Sequence, residues 1–135
     1  MPLIDMPLSE LMQYQGRNPR PADFDDYWER ALAELKTVDP AVEMTPSPFQ
    51  VPFAECYDLY FTGVRNTRVY AKYIKPKHAA EPHPAVLQFH GYTGSSGDWH
   101  DKLQYAALGF SVFAMDCRGQ GGRSNDAGGT VGTTH

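Results

Sequence analysis

A strand–helix–strand pattern in the second half of the chain constrains the fold more than any other feature. Residues Ala85–Phe89 form a short, mostly apolar run (AVLQF), which is typical of a strand buried on both faces. A Gly/Ser loop follows, and Asp98 then opens a predicted helix that ends at Gly109. A second apolar run, FSVFAM, occupies residues 110–115. Such short links make a βαβ unit, so we expect the two strands to pair in parallel.

Two further strands are predicted before this unit. Residues 55–62 and 68–75 each alternate between two sets of side chains, with the two-residue period of a strand. The loop between them contains Asn66 and suits a hairpin connection. Residues 38–53 contain four prolines, which predict an extended and irregular segment. The predicted fold class is α/β: an antiparallel hairpin that leads into a parallel sheet flanked by helices.

The first forty residues predict helices that cover the sheet rather than carry a site. A short helix is expected around Leu8 and Leu11, and a longer one after Asp23, whose side chain suits an N-cap. The apolar positions of the longer helix follow one face of a 3.6-residue period. They are Phe24, Tyr27, Trp28, Ala31, Leu32 and Leu35. We expect this stripe to pack in the core; a ligand platform is the alternative.

Composition narrows the class of protein. A chain of 135 residues is long enough for one domain with a hydrophobic core. The formal net charge of −4 argues against nucleic acid as a partner, because phosphate binding requires a basic surface. The N-terminus has neither the basic start of a signal peptide nor a membrane-spanning run. Cys56 and Cys117 follow no metal-ligand spacing. We therefore expect reduced cysteines, a cytoplasmic location and no membrane partner.

Two loops are the candidate functional segments, because ligands bind at the carboxyl ends of strands in open α/β sheets. The first loop, residues 90–97, reads HGYTGSSG, and the second loop, residues 116–124, reads DCRGQGGRS. The second loop lacks the third glycine of a dinucleotide fingerprint, and neither loop contains the Gly-Lys-Ser/Thr of a phosphate loop. A small doubly wound cofactor binder is therefore the weakest of the possible classes.

Taken together, the two loops resemble those of the α/β-hydrolase superfamily. A His-Gly-aromatic loop follows one strand, and Asp-x-Arg-Gly-x-Gly-x-x-Ser follows the next strand about 25 residues later. The early segment RPADFDDYW, the FTG turn, Trp99 and the string RGQGGRS sharpen the likeness. The chain resembles the acetyl xylan esterase/cephalosporin C deacetylase family, carbohydrate esterase family seven, throughout its 135 residues.

This resemblance implies an activity and an assembly. Family members remove acetyl groups from short xylo-oligosaccharides and from cephalosporin C, with a Ser-His-Asp triad and without a metal or an organic cofactor. They form a hexamer whose active sites face inward. In the superfamily the first loop donates one backbone N–H to the oxyanion hole, which stabilises the charged oxygen of the tetrahedral intermediate.

Four residues of the two loops are the candidates that the resemblance indicates. Tyr92 matches the position whose main-chain N–H forms half of the oxyanion hole, and Gly91 lets the backbone pass close to the substrate. His90 is interpreted as a loop-fixing donor rather than the catalytic base, since the superfamily's base comes late in the chain. Arg118 is interpreted as a tie between its loop and the sheet. Packing of Tyr92 against its neighbours is the alternative to a role in the oxyanion hole.

A Gly-x-Ser-x-Gly nucleophile motif is absent from this sequence. The resemblance places the catalytic serine, aspartate and histidine beyond His135, so we expect no esterase activity from these 135 residues alone. We also expect poor stability, because the strand at 85–89 would lack the neighbour that the nucleophile strand provides and its open edge would promote aggregation.

The domain organisation follows from these interpretations. Residues 1–135 are expected to be the N-terminal part of a single, incomplete α/β-hydrolase domain. Its predicted segments are a helical cover (1–40), a β-hairpin (55–75), a βαβ unit (85–116) and a glycine-rich loop (117–135). The alternative from another class is a non-catalytic carbohydrate-binding or assembly module that retains the loops without the chemistry.

Overall fold

The structure, a computed structural model, describes residues 5–126. They divide between Ala33 and Glu34 into two compact units, each described by itself. The first unit contains helix α1 (Leu8–Leu11), and helix α2 (Phe24–Lys36) begins in it and crosses the boundary. Both helices were predicted. The last part of the predicted glycine-rich loop, residues 127–135, lies outside the described residues.

Helix α2 corrects one prediction about packing. Asp25 and Asp26 lie in its first turn and Lys36 in its last, as the helix dipole favours. The helix contains no buried residue, however, and its aromatic side chains, among them Trp28, are about half exposed. The prediction that the apolar stripe packs in a core is therefore wrong within the described residues. The 3.6-residue period of the apolar side chains identified the helix, but it does not show what the helix packs against.

The second unit is built around a mixed sheet of five strands in the order β1-β2-β3-β5-β4. The strands are β1 (Glu43–Pro46), β2 (Ala54–Gly63), β3 (Thr67–Pro76), β4 (Ala85–Phe89) and β5 (Ser111–Met115). The predicted hairpin is confirmed: β2 and β3 pair antiparallel and are joined by a 3₁₀ turn at Val64–Asn66. Strand β1 was missed, because its segment was expected to be irregular; it pairs antiparallel with β2.

The predicted βαβ unit is also confirmed. Strands β4 and β5 pair in parallel, and helix α3 (His100–Ala107) connects them. Helix α3 packs on β3 and β5 and covers one face of the sheet. The buried side chains of this layer are Ala54, Cys56, Ile74, Ala106 and Val112. Val112 and its register partner Ile74 place this core towards the amino end of β5.

Strand β4 is the edge of the sheet on its side, and no other described strand pairs with it there. Its side chains Leu87 and Phe89 are 64% and 63% exposed. The prediction of a strand buried on both faces is therefore wrong within the described residues. The open apolar edge that we expected is present, and the aggregation expected from it stays a prediction.

None of the helices described between residues 5 and 126 has the length and apolar character needed to cross a membrane.

Candidate functional site

Parallel pairing brings the first and second loops together. Phe89 and Met115 are register partners at the carboxyl ends of β4 and β5, so residues 90–97 and 116–124 leave the same edge of the sheet side by side. The sequence predicted this location from strand order alone.

A buried carboxylate ties the two loops together. Asp116, the first residue of the second loop, is only 1% exposed. Its Oδ1 accepts the main-chain N–H of Ser96 in the first loop, and its Oδ2 accepts the main-chain N–H of Arg123 at 2.8 Å. The Ser124 hydroxyl donates to the Asp116 carbonyl oxygen at 2.6 Å. One side chain therefore fixes both loops, a role that no sequence pattern predicted.

Glycines of the second loop allow this close approach. A Cβ atom at Gly122 would lie 2.3 Å from Asp116 Oδ2, and the residue has a φ of +108°. A Cβ atom at Gly121 would lie 2.7 Å from the carbonyl oxygen of Thr93 in the first loop. A larger residue at Gly121 would push the loops apart, and one at Gly122 would displace the Asp116 carboxylate that joins them.

His90 joins the two loops through its ring. Its Nε2 accepts the main-chain N–H of Cys117 at 2.8 Å, which assigns the ring proton to Nδ1. The Nδ1–H then donates to the Gly91 carbonyl oxygen at 2.7 Å. Both nitrogens are engaged by main-chain groups, which supports the interpretation of His90 as a loop-fixing residue; that it is not the catalytic base stays a prediction.

Arg118 extends from the second loop towards the sheet. Its guanidinium donates to the Val64 carbonyl oxygen at 3.1 Å, at the end of the β2–β3 hairpin, and lies 3.6 Å from the Asp126 carboxylate. These contacts support the interpretation of Arg118 as a tie between its loop and the sheet.

Tyr92 and Gly91 lie at the exposed tip of the first loop. Tyr92 is 74% exposed. A Cβ atom at Gly91 would meet no described atom within 4 Å, so the fold of these residues does not itself require glycine at this position. The structure therefore places both predicted residues where a ligand can reach them, beside the braced second loop.

Two lysines beneath the loops, Lys72 and Lys102, were not among the predicted site residues. Lys72 Nζ donates to the Ser96 hydroxyl at 3.0 Å and lies over the rings of Tyr70 and Trp99. Lys102 Nζ donates to the Asp98 carbonyl oxygen at 2.9 Å. Burial lowers the pKa of both ammonium groups; the carboxylate of Asp116 opposes this shift at Lys72, and that of Asp101 opposes it at Lys102. Lys72 thus supports the first loop from strand β3.

A second polar cluster, formed by Tyr70, Asp58 and Arg123, holds the far end of the second loop. The buried Tyr70 hydroxyl donates to the Asp58 carboxylate, which Arg123 also approaches at 3.2 Å. The Arg123 guanidinium lies 4.7 Å from the centre of the Tyr70 ring. Burial, and next the hydrogen bond to Asp58, raises the pKa of the Tyr70 phenol.

An open cleft of about 600 Å³ runs along β4 and α3 beside the first loop. Its lining residues are Leu87, Gln88, Phe89, His90, Ser95, Ser96, Asp101, Lys102, Ala114 and Met115. Because Ala114 and Met115 belong to β5, the cleft lies over the carboxyl ends of both β4 and β5. Within residues 5–126 no cluster of three or more histidine, cysteine or acidic side chains could hold a metal ion.

One serine outside the two loops has the side-chain partners of a nucleophile. Ser111 Oγ lies 2.8 Å from His83 Nε2, and His83 Nδ1 lies 3.3 Å from a Glu81 carboxylate oxygen. Ser111 lies in strand β5 and outside a Gly-x-Ser-x-Gly motif, because Phe113 stands where the second glycine would be. The constellation becomes visible only when the chain is folded, since His83 and Ser111 are 28 positions apart.

Comparisons with known proteins agree with this geometry. The family model described as acetyl xylan esterase (AXE1) matches residues 1–135. Acetyl xylan esterase 1 from Thermoanaerobacterium sp. JW/SL YS485 is 62% identical with a TM-score of 0.90, over 96% of this chain and 41% of that chain. The acetyl xylan esterase from Paenibacillus sp. R4 is 31% identical with a TM-score of 0.79, over 90% of this chain and 39% of that one.

These matches confirm the predicted fold and the family. The sheet corresponds to the N-terminal part of the esterase fold, and the chain spans well under half the length of the solved structures it matches. The chain belongs to the acetyl xylan esterase family.

Proposed function

We propose that this chain supplies one half of the oxyanion hole of an acetyl ester hydrolase, through the main-chain N–H of Tyr92. The observation that carries the proposal is the exposed Tyr92 beside an unobstructed Gly91, on a loop that the buried Asp116 braces. A fixed N–H directed at the developing oxyanion contributes about 3–4 kcal/mol of transition-state stabilisation, but only if its position is preorganised.

The remaining chemistry is assigned to residues beyond His135. A serine hydroxyl would attack the acetyl carbonyl carbon, a histidine would take the hydroxyl proton, and an aspartate would orient that histidine. As the carbonyl becomes tetrahedral, its oxygen gains negative charge, which the Tyr92 N–H and a second donor would share. Collapse of the intermediate releases the sugar alcohol, and water then releases acetate from the serine.

The proposed substrates are acetylated xylo-oligosaccharides and cephalosporin C, whose leaving groups are alcohols. The names of both solved relatives support the first substrate class. A cytoplasmic hexamer is part of the same proposal, and light scattering on the enzyme described next tests the assembly.

The test uses a chimera in which residues 1–135 are followed by the part of the Thermoanaerobacterium esterase beyond the match; we call it the completed enzyme. The 135-residue chain, verified by its intact mass near 15.1 kDa, is assayed with p-nitrophenyl acetate beside it. We expect turnover from the completed enzyme that a serine-directed inhibitor removes. The chain alone should stay at background, because losing triad residues costs about a millionfold.

Two results would contradict the proposal. Turnover by the chain alone would show that its own residues supply a nucleophile. A folded completed enzyme that binds xylo-oligosaccharides without hydrolysing acetyl esters would favour the non-catalytic carbohydrate-binding module instead.

A further inference from the structure

The tip of the first loop is a β-turn in an unfavourable form for its sequence. The Gly94 N–H donates to the Gly91 carbonyl oxygen at 3.0 Å, which closes a turn with Tyr92 and Thr93 at its centre. Thr93, the third residue of this turn, has a φ of +63°. A turn with positive φ only at that position is of type II, which favours glycine or asparagine there. A β-branched residue in this conformation is strained.

The second loop supplies the contact that holds this turn. The Gln120 side-chain carbonyl oxygen accepts the Thr93 N–H at 2.6 Å, across 27 positions of sequence. Gly121 lies so close behind that a Cβ atom there would be 2.7 Å from the Thr93 carbonyl oxygen. The second loop therefore contacts the N–H and the carbonyl group of the one strained residue in the turn.

The hydrogen bond from Thr93 to Gln120 affects the orientation of one peptide group in the turn. Types I and II of a turn differ by a rotation of the central peptide, here the peptide between Tyr92 and Thr93. The type I form suits threonine better, and it would turn the Thr93 N–H away from Gln120. The hydrogen bond to Gln120 therefore opposes the rotation that the local sequence favours, and strain held by tertiary contacts is typical of functional sites.

We propose that Gln120 is a positioning residue that holds the turn at residues 91–94 in its type II form and so fixes the Tyr92 main chain. This inference rests on the proposed function, because its consequence for turnover requires Tyr92 to be an oxyanion donor. Gln120 itself does not touch the reacting atoms; it acts through Thr93.

The test compares three variants of the completed enzyme with its unmutated form. Gln120→Met keeps the length of the side chain but removes the acceptor. Gln120→Glu keeps an acceptor oxygen at the same reach. Gln104→Met is the matched control, since Gln104 is an exposed residue of helix α3 away from the turn. Hydrogen–deuterium exchange resolved to the Thr93 amide, kcat and KM are measured for each.

Gln120→Met should speed exchange at Thr93 by tenfold or more, as expected for a lost hydrogen bond. It should lower kcat by about 10- to 100-fold with KM within about threefold, because a small misplacement at the reacting centre costs that much. Gln120→Glu should keep slow exchange and recover most of kcat, and Gln104→Met should match the unmutated enzyme.

Three results would overturn the proposal. Unchanged exchange at Thr93 in Gln120→Met would overturn it, and so would faster exchange with unchanged kcat, or equal losses of kcat in the Met and Glu variants. If the unmutated completed enzyme hydrolyses no acetyl ester, the proposed function fails, while exchange at Thr93 still decides whether Gln120 holds the turn.

Discussion

The two ends of strand β5 present opposite kinds of site. At its amino end, Ser111 lies within hydrogen-bond distance of His83, which in turn approaches Glu81, as in a catalytic triad. At its carboxyl end, Asp116 begins a glycine-rich loop that contains no such constellation but is braced to the first loop. The side chains with the arrangement of a triad are therefore at the amino end of β5, and the main chain that the two loops hold in place is at its carboxyl end.

Main-chain geometry separates these two ends. The Ser111 N–H donates to the Pro84 carbonyl oxygen at 3.0 Å, so it cannot stabilise an oxyanion, and the residue is only 7% exposed. The first loop, in contrast, projects Tyr92 into solvent on a turn that carries backbone strain. Ester hydrolysis needs an accessible carbonyl site and preorganised N–H donors as much as a nucleophile. Side-chain distances alone favour the amino end of β5, whereas main-chain geometry favours the carboxyl end that we propose.

The largest effect is expected from Gly122→Ala. The added methyl group would lie 2.3 Å from Asp116 Oδ2, in a backbone conformation that L-residues rarely adopt. Backbone strain of about 1–3 kcal/mol and the displaced carboxylate should together cost several kcal/mol. We expect a large fall in the free energy of unfolding of the completed enzyme, measured in urea, with loss of turnover.

Gly109→Ala is the control for this variant. Gly109 also has a positive φ, of +88°, but a Cβ atom there would meet nothing within 4 Å. It should cost only about 1 kcal/mol and leave turnover intact. Equal effects of the two substitutions would show that Asp116 does not depend on the close approach of Gly122.

Gly91→Ala should separate activity from stability. No described atom surrounds a Cβ atom at this position, so the free energy of unfolding should change by less than about 0.5 kcal/mol. The methyl group would, however, crowd the acyl group beside Tyr92, and kcat/KM for p-nitrophenyl acetate should fall by about tenfold or more.

Gly63→Ala is the matched control for this second variant. It adds a methyl group at ordinary contact distance from Val69, on the hairpin rather than on either loop. We expect it to leave kcat/KM unchanged. An active Gly91→Ala enzyme would contradict the placement of the oxyanion hole.

The sequence predicted the parts of the fold whose signal is local. The apolar runs and their glycine boundaries identified β4, α3 and β5, and strand order then placed both loops. Strand β1 was missed because Pro46 and its neighbouring prolines disfavour a strand, whereas pairing with β2 stabilises one. Sequence period also could not tell that helix α2 buries no residue.

The braces of the site were not predictable in the same way. Asp116 contacts Ser96 over 20 positions and Gln120 contacts Thr93 over 27, so each contact exists only once the loops meet. The sequence around these residues does not distinguish a side chain that holds a loop in place from an exposed polar side chain. The resemblance identified Tyr92 and His90, but not Asp116, Gln120 or Lys72, whose side chains also hold the first loop.

The buried polar group behind the second loop should give a smaller, pH-dependent effect. The folded-state pKa of Tyr70 lies above its value of about 10 in the unfolded chain, chiefly because of burial. Its stabilising contribution is therefore complete below about pH 10 and is lost as the pH rises further. The difference in unfolding free energy between the completed enzyme and Tyr70→Phe should shrink above pH 10, by at most about 1.4 kcal/mol per unit. A difference that stays constant to pH 11 would contradict this.

The smallest effect on turnover is expected at the amino end of β5. Ser111→Ala removes the hydrogen bond to His83 and should cost about 1 kcal/mol of stability, without changing kcat/KM of the completed enzyme. A serine-directed phosphonate should likewise leave Ser111 unlabelled in the 135-residue chain, as intact mass would show. A labelled Ser111 or a loss of turnover would reverse the comparison of the two ends, because it would show that a serine–histidine–carboxylate group suffices here without the Ser111 N–H. An unlabelled Ser111 and unchanged turnover would agree with a site at the carboxyl end of β5.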